Sequence, residues 1–70
     1  MNIYGYESED GDLLKMQEIT LQADADELKK LSKFIDNTIK LIEENGDSFG
    51  HEHFSDFSGM KDGPDIIIAK

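Results

Sequence analysis

Alternation of apolar and polar positions governs the first third of the chain. In residues 2–6, NIYGY, an extended backbone puts Ile3 and Gly5 on one side and Tyr4 and Tyr6 on the other, which predicts a strand. Residues 7–12, ESEDGD, carry no large apolar side chain and contain Asp10-Gly11, a pair that tolerates positive φ and signals a hairpin turn. Residues 13–23, LLKMQEITLQA, predict a second strand in which Leu14 and Met16 follow one phase and Ile19, Leu21 and Ala23 the other. A bulge near Gln17-Glu18 would return both sets to one face, and an early end to the strand would explain the change of phase equally well.

From residue 24 the period lengthens to that of a helix. Leu28, Leu31, Ile35, Ile39 and Ile42 recur at helical spacing, with Phe34 and Leu41 to one side of that stripe, so the apolar arc is wide. Asp24 and Glu27 have the spacing of a capping box, and Asn45-Gly46 supplies a stop, which predicts a helix over 24–45. Residues 48–54, SFGHEHF, read as a third strand with Phe49, His51 and His53 on one face and Glu52 and Phe54 on the other. A loop with a short helical turn competes, because Phe54 and Phe57 lie three apart. Residues 55–64, with Gly59, Gly63 and Pro64, predict a connection. In residues 65–69, DIIIA, three consecutive isoleucines predict a strand buried on both faces and interior to its sheet. Together these elements predict a single α+β domain over residues 1–70. Its architecture would be two-layer, with one helix packed on a small, mostly antiparallel sheet in the order ββαβ or ββαββ.

Composition narrows the function classes. A 70-residue chain buries only about 60% of its unfolded surface, which favours a surface function over an elaborate buried active site. The absence of cysteine excludes a disulfide framework and a thiolate zinc site. No basic start leads into a long apolar stretch, and the longest apolar run, residues 66–69, is too short to span a bilayer, so the expectation is a cytoplasmic protein without a membrane role. The net charge is −9, from 16 acids against seven bases, and every base is lysine. Without arginine, and with so negative a field, the chain lacks a nucleic-acid footprint and attracts basic proteins instead.

The excess charge is not spread evenly. The helical segment 24–42 balances four acids with four lysines, and Lys15 balances Glu18 in the second strand. Residues 7–12 hold four acids and no base, and residues 43–65 hold seven acids and one lysine. Two connecting regions therefore carry the negative field, and they suit either solubility or the steering of a basic partner. The sheet face away from the helix, with Tyr4, Tyr6, Ile67 and Phe49, is a second candidate surface, for a partner or for a homodimer.

Both histidines fall in GHEHFSDF, residues 50–57. In a strand His51 and His53 point the same way, and with Asp56 or Asp47 they would form a minimal zinc site, but no second ligand pair follows at a defined spacing. Acid-base or nucleophilic chemistry with Ser48 or Ser55 lacks any surrounding nucleophile elbow, phosphate loop or paired-acid pattern. A purely structural role, hydrogen-bonded to neighbouring carboxylates or backbone, is the simplest reading, and direct contact with a partner is the remaining one. The composition implies no catalytic residue and no cofactor.

MNIYGY at the start, LxxITLxAD…EL leading into the helix, GDSFGHEHF after it and GPDIIIAK at the end resemble the immunity protein 32 family. These are small α+β proteins associated with bacterial polymorphic toxins, and the resemblance spans nearly the whole chain. It implies a non-enzymatic inhibitor that binds and neutralises a cognate toxin made in the same cell, with Gly50, His51, Glu52, His53 and Phe54 as a family-like feature. The acidic charge adds the expectation of a basic toxin domain. Candidate contacts are Tyr4, Tyr6, His51, His53 and Phe54, with Glu43, Glu44, Asp47, Glu52 and Asp56 supplying the field. The alternatives are a small metal-binding or regulatory domain using His51 and His53, and a homodimeric structural protein.

Overall fold

A computed structural model describes residues 1–70. The chain runs β1 (Ile3–Gly5), β2 (Leu14–Met16), α1 (Ala25–Asn45), a 3₁₀ turn (Gly46–Ser48), β3 (His51–His53), α2 (Phe54–Ser58) and β4 (Ile67–Ala69). The class is α+β, as the hydrophobic pattern predicts. The strands, however, form two antiparallel pairs instead of one sheet: β1 with β2, and β3 with β4. The reason lies in β2, which ends at Met16, so the phase change at Gln17-Glu18 marks an early strand end and not a bulge. Residues 18–24 have no regular structure and give the hairpin no edge on which to reach β3 or β4.

The hairpin closes differently from its Asp10-Gly11 signal. The Gly11 N–H donates to the Ser8 carbonyl at 3.1 Å, and neither Asp10 nor Gly11 adopts positive φ. The loop between the strands is long enough to close with an ordinary four-residue turn, so the mirror-image turn of a two-residue hairpin is not needed.

α1 begins as its sequence dictates. The Asp24 carboxylate accepts the Glu27 N–H at 2.8 Å, and Glu27 Oε1 accepts the Asp24 N–H at 3.2 Å. This reciprocal box satisfies two of the donors that a helix start leaves free. Gly46 ends the helix at φ 53°, a conformation open to glycine, and its N–H bonds back to the Ile42 carbonyl.

The face that α1 buries is not the centre of its apolar stripe. Phe34 and Thr38 are the only fully buried residues, each 1% exposed, and Leu31, Leu41 and Ile42 are half-buried beside them. Leu28, Ile35 and Ile39 remain 40–47% exposed. The Phe34 ring selects this face: it meets Phe54 at 5.3 Å and Phe57 at 5.6 Å between centroids, both tilted, so α2 packs on α1 through three aromatic rings. The Thr38 hydroxyl enters the core at little cost because it donates to the Phe34 carbonyl at 2.8 Å.

β4 is also not the interior strand that its isoleucines predict. It pairs only with β3, Ile67 is 54% exposed, and Ile66 and Ile68 are half-buried. A two-stranded ribbon has no interior position, so the triplet spreads over both sides of an edge strand.

Candidate functional site

The GHEHFSDF segment resolves into two elements, and both readings of it hold in part. Residues 51–53 are β3, whose register sets His51 opposite Ala69, Glu52 opposite Ile68 and His53 opposite Ile67. The chain then turns directly into α2, one short helix in which Phe54 and Phe57 share a face. His51 and His53 point the same way, as strand periodicity requires, and their rings meet edge to face at 5.0 Å between centroids.

His53 is occupied by a residue that its local sequence does not indicate. Its Nδ1 lies 2.7 Å from Asp65 Oδ2, just before β4. Asp65 Oδ1 accepts the N–H of Ser55, at the start of α2, and its own neighbour Ile66 N–H, both at 2.8 Å. The Phe54 N–H donates to the Ile66 carbonyl at 2.8 Å. Asp65 therefore caps α2 from outside it and ties the β3–α2 junction to the strand that follows. Partial burial works against its ionisation. The hydrogen bonds from His53, Ser55 and Ile66 outweigh that and hold its pKa down at about 2, against an ordinary 3.8.

This arrangement is a clamp. Asp56, the metal-ligand candidate beside the histidines, is drawn instead to Lys61, whose hydrogen bond and charge lower its pKa. No three His, Asp or Glu side chains come together in a way that could hold a metal ion. A cleft of about 370 Å³ opens between residues 20–23, the first half of α1, α2 and the loop before β4. Asp65 and Ser55 line it and His53 does not, so the His53–Asp65 pair does not present its imidazole to that space. Lys30 and Glu27, on the α1 wall, form no ion pair.

The other candidate contacts separate into groups. Phe54 is taken up by the core through its contact with Phe34, and Glu52 is half-buried on the face opposite the histidines. His51 and Asp56 are exposed. Glu43, Glu44 and Asp47 gather where α1 passes into the 3₁₀ turn, all exposed, and the last turn of α1 contains no base. Their one ion-pair partner is Lys70, whose Nζ lies 3.8 Å from Asp47. The helix carbonyls add their own partial negative charge at this end. On the separate hairpin, Tyr4 and Tyr6 are 53% and 64% exposed and border a shallow apolar depression of about 170 Å³ with Leu14, Met16 and Ile19. The hairpin loop holds Glu7, Glu9, Asp10 and Asp12, none of them ion-paired.

Two residues escape the pattern analysis. Thr38 is polar, and only its back-bond to Phe34 makes it a core residue. Asp65 acts across ten or more residues of chain, and the one local hint is a carboxylate beside a Pro just ahead of a strand. No helix is long and apolar enough to cross a membrane. No family model, no curated protein and no solved structure matches this chain.

Proposed function

We propose that this chain is a non-enzymatic, cytoplasmic immunity protein that neutralises a cognate basic toxin domain by binding it. One observation carries the reading: Glu43, Glu44 and Asp47 crowd the negative pole of α1, where basic residues would stabilise the helix. A helix whose first turn is so carefully capped, yet whose last turn opposes its own dipole, is consistent with a binding surface that is kept at the expense of local stability. His51, exposed, follows the 3₁₀ turn three residues later in the chain. The sequence resemblance to the immunity protein 32 family supports the same reading, and so does the field of the acidic hairpin loop, with Tyr4 and Tyr6 beside it as aromatic contacts.

The experiment is a binding measurement against the toxin domain encoded by the neighbouring gene, across a salt series. Association slows steeply as ionic strength rises, and the Glu43→Gln, Glu44→Gln, Asp47→Asn triple variant associates about tenfold more slowly at low salt. Association that ignores both salt and the triple substitution would overturn the electrostatic surface, and absence of any binding would overturn the immunity role.

A further inference from the structure

The β1–β2 hairpin stands apart from the rest of the molecule. No hydrogen bond, ion pair or ring contact joins residues 1–19 to the remainder of the chain, and β1 and β2 pair only with each other. Within residues 1–19 none is buried, and only Ile3, Gly5 and Gly11 are half-buried. The accessible surface of the protomer, 6150 Å² at 7.9 kDa, exceeds by roughly 1700 Å² what a compact monomer of that mass exposes. Half of the large apolar side chains that stay exposed belong to residues 1–19, so much of that excess is the hairpin's. Three residue pairs hold its strands together: Ile3 with Met16, Tyr4 with Lys15 and Gly5 with Leu14. A two-stranded ribbon of that length, with no helix or third strand against it, is marginally stable in water. Its order therefore depends on what covers it.

The uncovered face has a definite shape. Directly opposed residues of an antiparallel pair share a face, so Ile3, Gly5, Leu14 and Met16 lie on one side of the ribbon. Gly5 contributes no side chain, and the depression of about 170 Å³ opens there, edged by Tyr6, Leu14, Met16 and Ile19. It has room for one large apolar side chain from outside.

Charge identifies what brings that side chain. Residues 1–19 hold five acids, Glu7, Glu9, Asp10, Asp12 and Glu18, against Lys15, and none of the six is ion-paired. A second copy would meet its own negative field at this face, and anionic lipid or nucleic acid would be repelled by it. A basic protein surface complements both the apolar face and the field around it. We propose that the hairpin is a docking arm, held loosely in the free protein and ordered when a basic partner protein seats an apolar side chain over Gly5. The identity of the partner rests on the immunity reading, and the looseness of the arm rests on the hairpin alone.

Hydrogen exchange on the chain alone, at low concentration, tests the arm without a partner. Amides of β1 and β2 exchange at least about a hundredfold faster than those in the turns of α1 around Phe34 and Thr38. Adding the toxin domain encoded by the neighbouring gene slows the hairpin amides about tenfold or more. Leu14→Ser weakens the complex, but it can also unfold the hairpin. Gly5→Val separates the two effects. A Cβ at Gly5 meets only Met16 Cγ, at 3.9 Å, which is ordinary contact, and a β-branched residue suits a strand. The hairpin of that variant is at least as protected as the wild type in the free chain, yet its complex dissociates about tenfold faster because the depression is filled. Hairpin amides as protected as α1 in the free chain would overturn the arm. Protection that rises with the chain's own concentration would overturn the basic partner in favour of a second copy. A toxin complex that leaves hairpin exchange unchanged and binds Gly5→Val as tightly as wild type would overturn the docking site and leave the immunity reading standing. No complex at all would overturn that reading, and the basic partner with it.

Discussion

At Asp65 the two carboxylate oxygens divide their partners: Oδ2 faces the His53 ring, and Oδ1 accepts the N–H of Ser55 and of Ile66. The folded pKa of about 2 lies below the ordinary 3.8, so the clamp contributes stability that is complete above about pH 4 and lost as pH falls toward 2. The carboxylate keeps some contact with water, its side chain being 29% exposed, so after allowance for screening the contribution is on the order of 1 kcal/mol. Asp65→Ala also leaves two backbone donors without their acceptor and should cost about 1–2 kcal/mol at neutral pH. Thermal melts from pH 7 to pH 2 check both statements. The wild type loses stability below pH 4 more steeply than Asp65→Ala, and parallel profiles would refute the clamp. This residue was legible from the sequence only as one more negative charge, because its three donors come from β3, α2 and the chain beside β4 and meet only when β3 and β4 pair.

At the scale of elements, the two ends of α1 follow opposite rules. The capping box and the Asn45-Gly46 stop were readable because each depends on residues within one turn of the other. The buried face was not. Leu28, Ile35 and Ile39 hold the centre of the helical stripe, yet Phe34 and Thr38 to one side of it are what is buried, because Phe34 finds Phe54 and Phe57 across the β3 connection. Periodicity locates an apolar arc, and only a distant partner decides which part of it turns inward. The isoleucines of β4 mislead for the same reason, since burial on both faces requires packed layers above and below the sheet. The charge at the C-terminal end yields a prediction. Glu43→Gln with Glu44→Gln removes two unfavourable interactions with the helix dipole and should stabilise the fold by about 0.5–1 kcal/mol. That is a rise in Tm of about 2–8 °C at low salt for a chain of this size. In 1 M salt the gain should vanish. A double variant no more stable than wild type at low salt would show that this end of α1 carries no local strain of charge.

At the scale of the whole molecule, the acidic ends and the neutral apolar stripe are separate surfaces that respond to solution conditions in opposite ways. A core centred on Phe34 is small for 70 residues, so a partner covering the exposed stripe of α1 would add appreciably to the stability of the chain. Were a second copy to cover that stripe, folding and pairing would be linked, and the linkage is measurable with the protein alone. For a dimer whose subunits unfold as they separate, mass action raises Tm with protein concentration by about 5 °C per tenfold for this chain length. A lone folded chain shows no such dependence. Ile39→Lys places a charge on the stripe without touching Phe34 or the Asp65 clamp. It should lower Tm at high concentration and flatten the concentration dependence, while Glu44→Gln leaves that dependence intact. If wild-type Tm stays constant over a hundredfold range of concentration, the exposed stripe on α1 is surface that the protomer tolerates on its own, and the stability of the fold has to be sought within the aromatic cluster and the β3–β4 clamp alone.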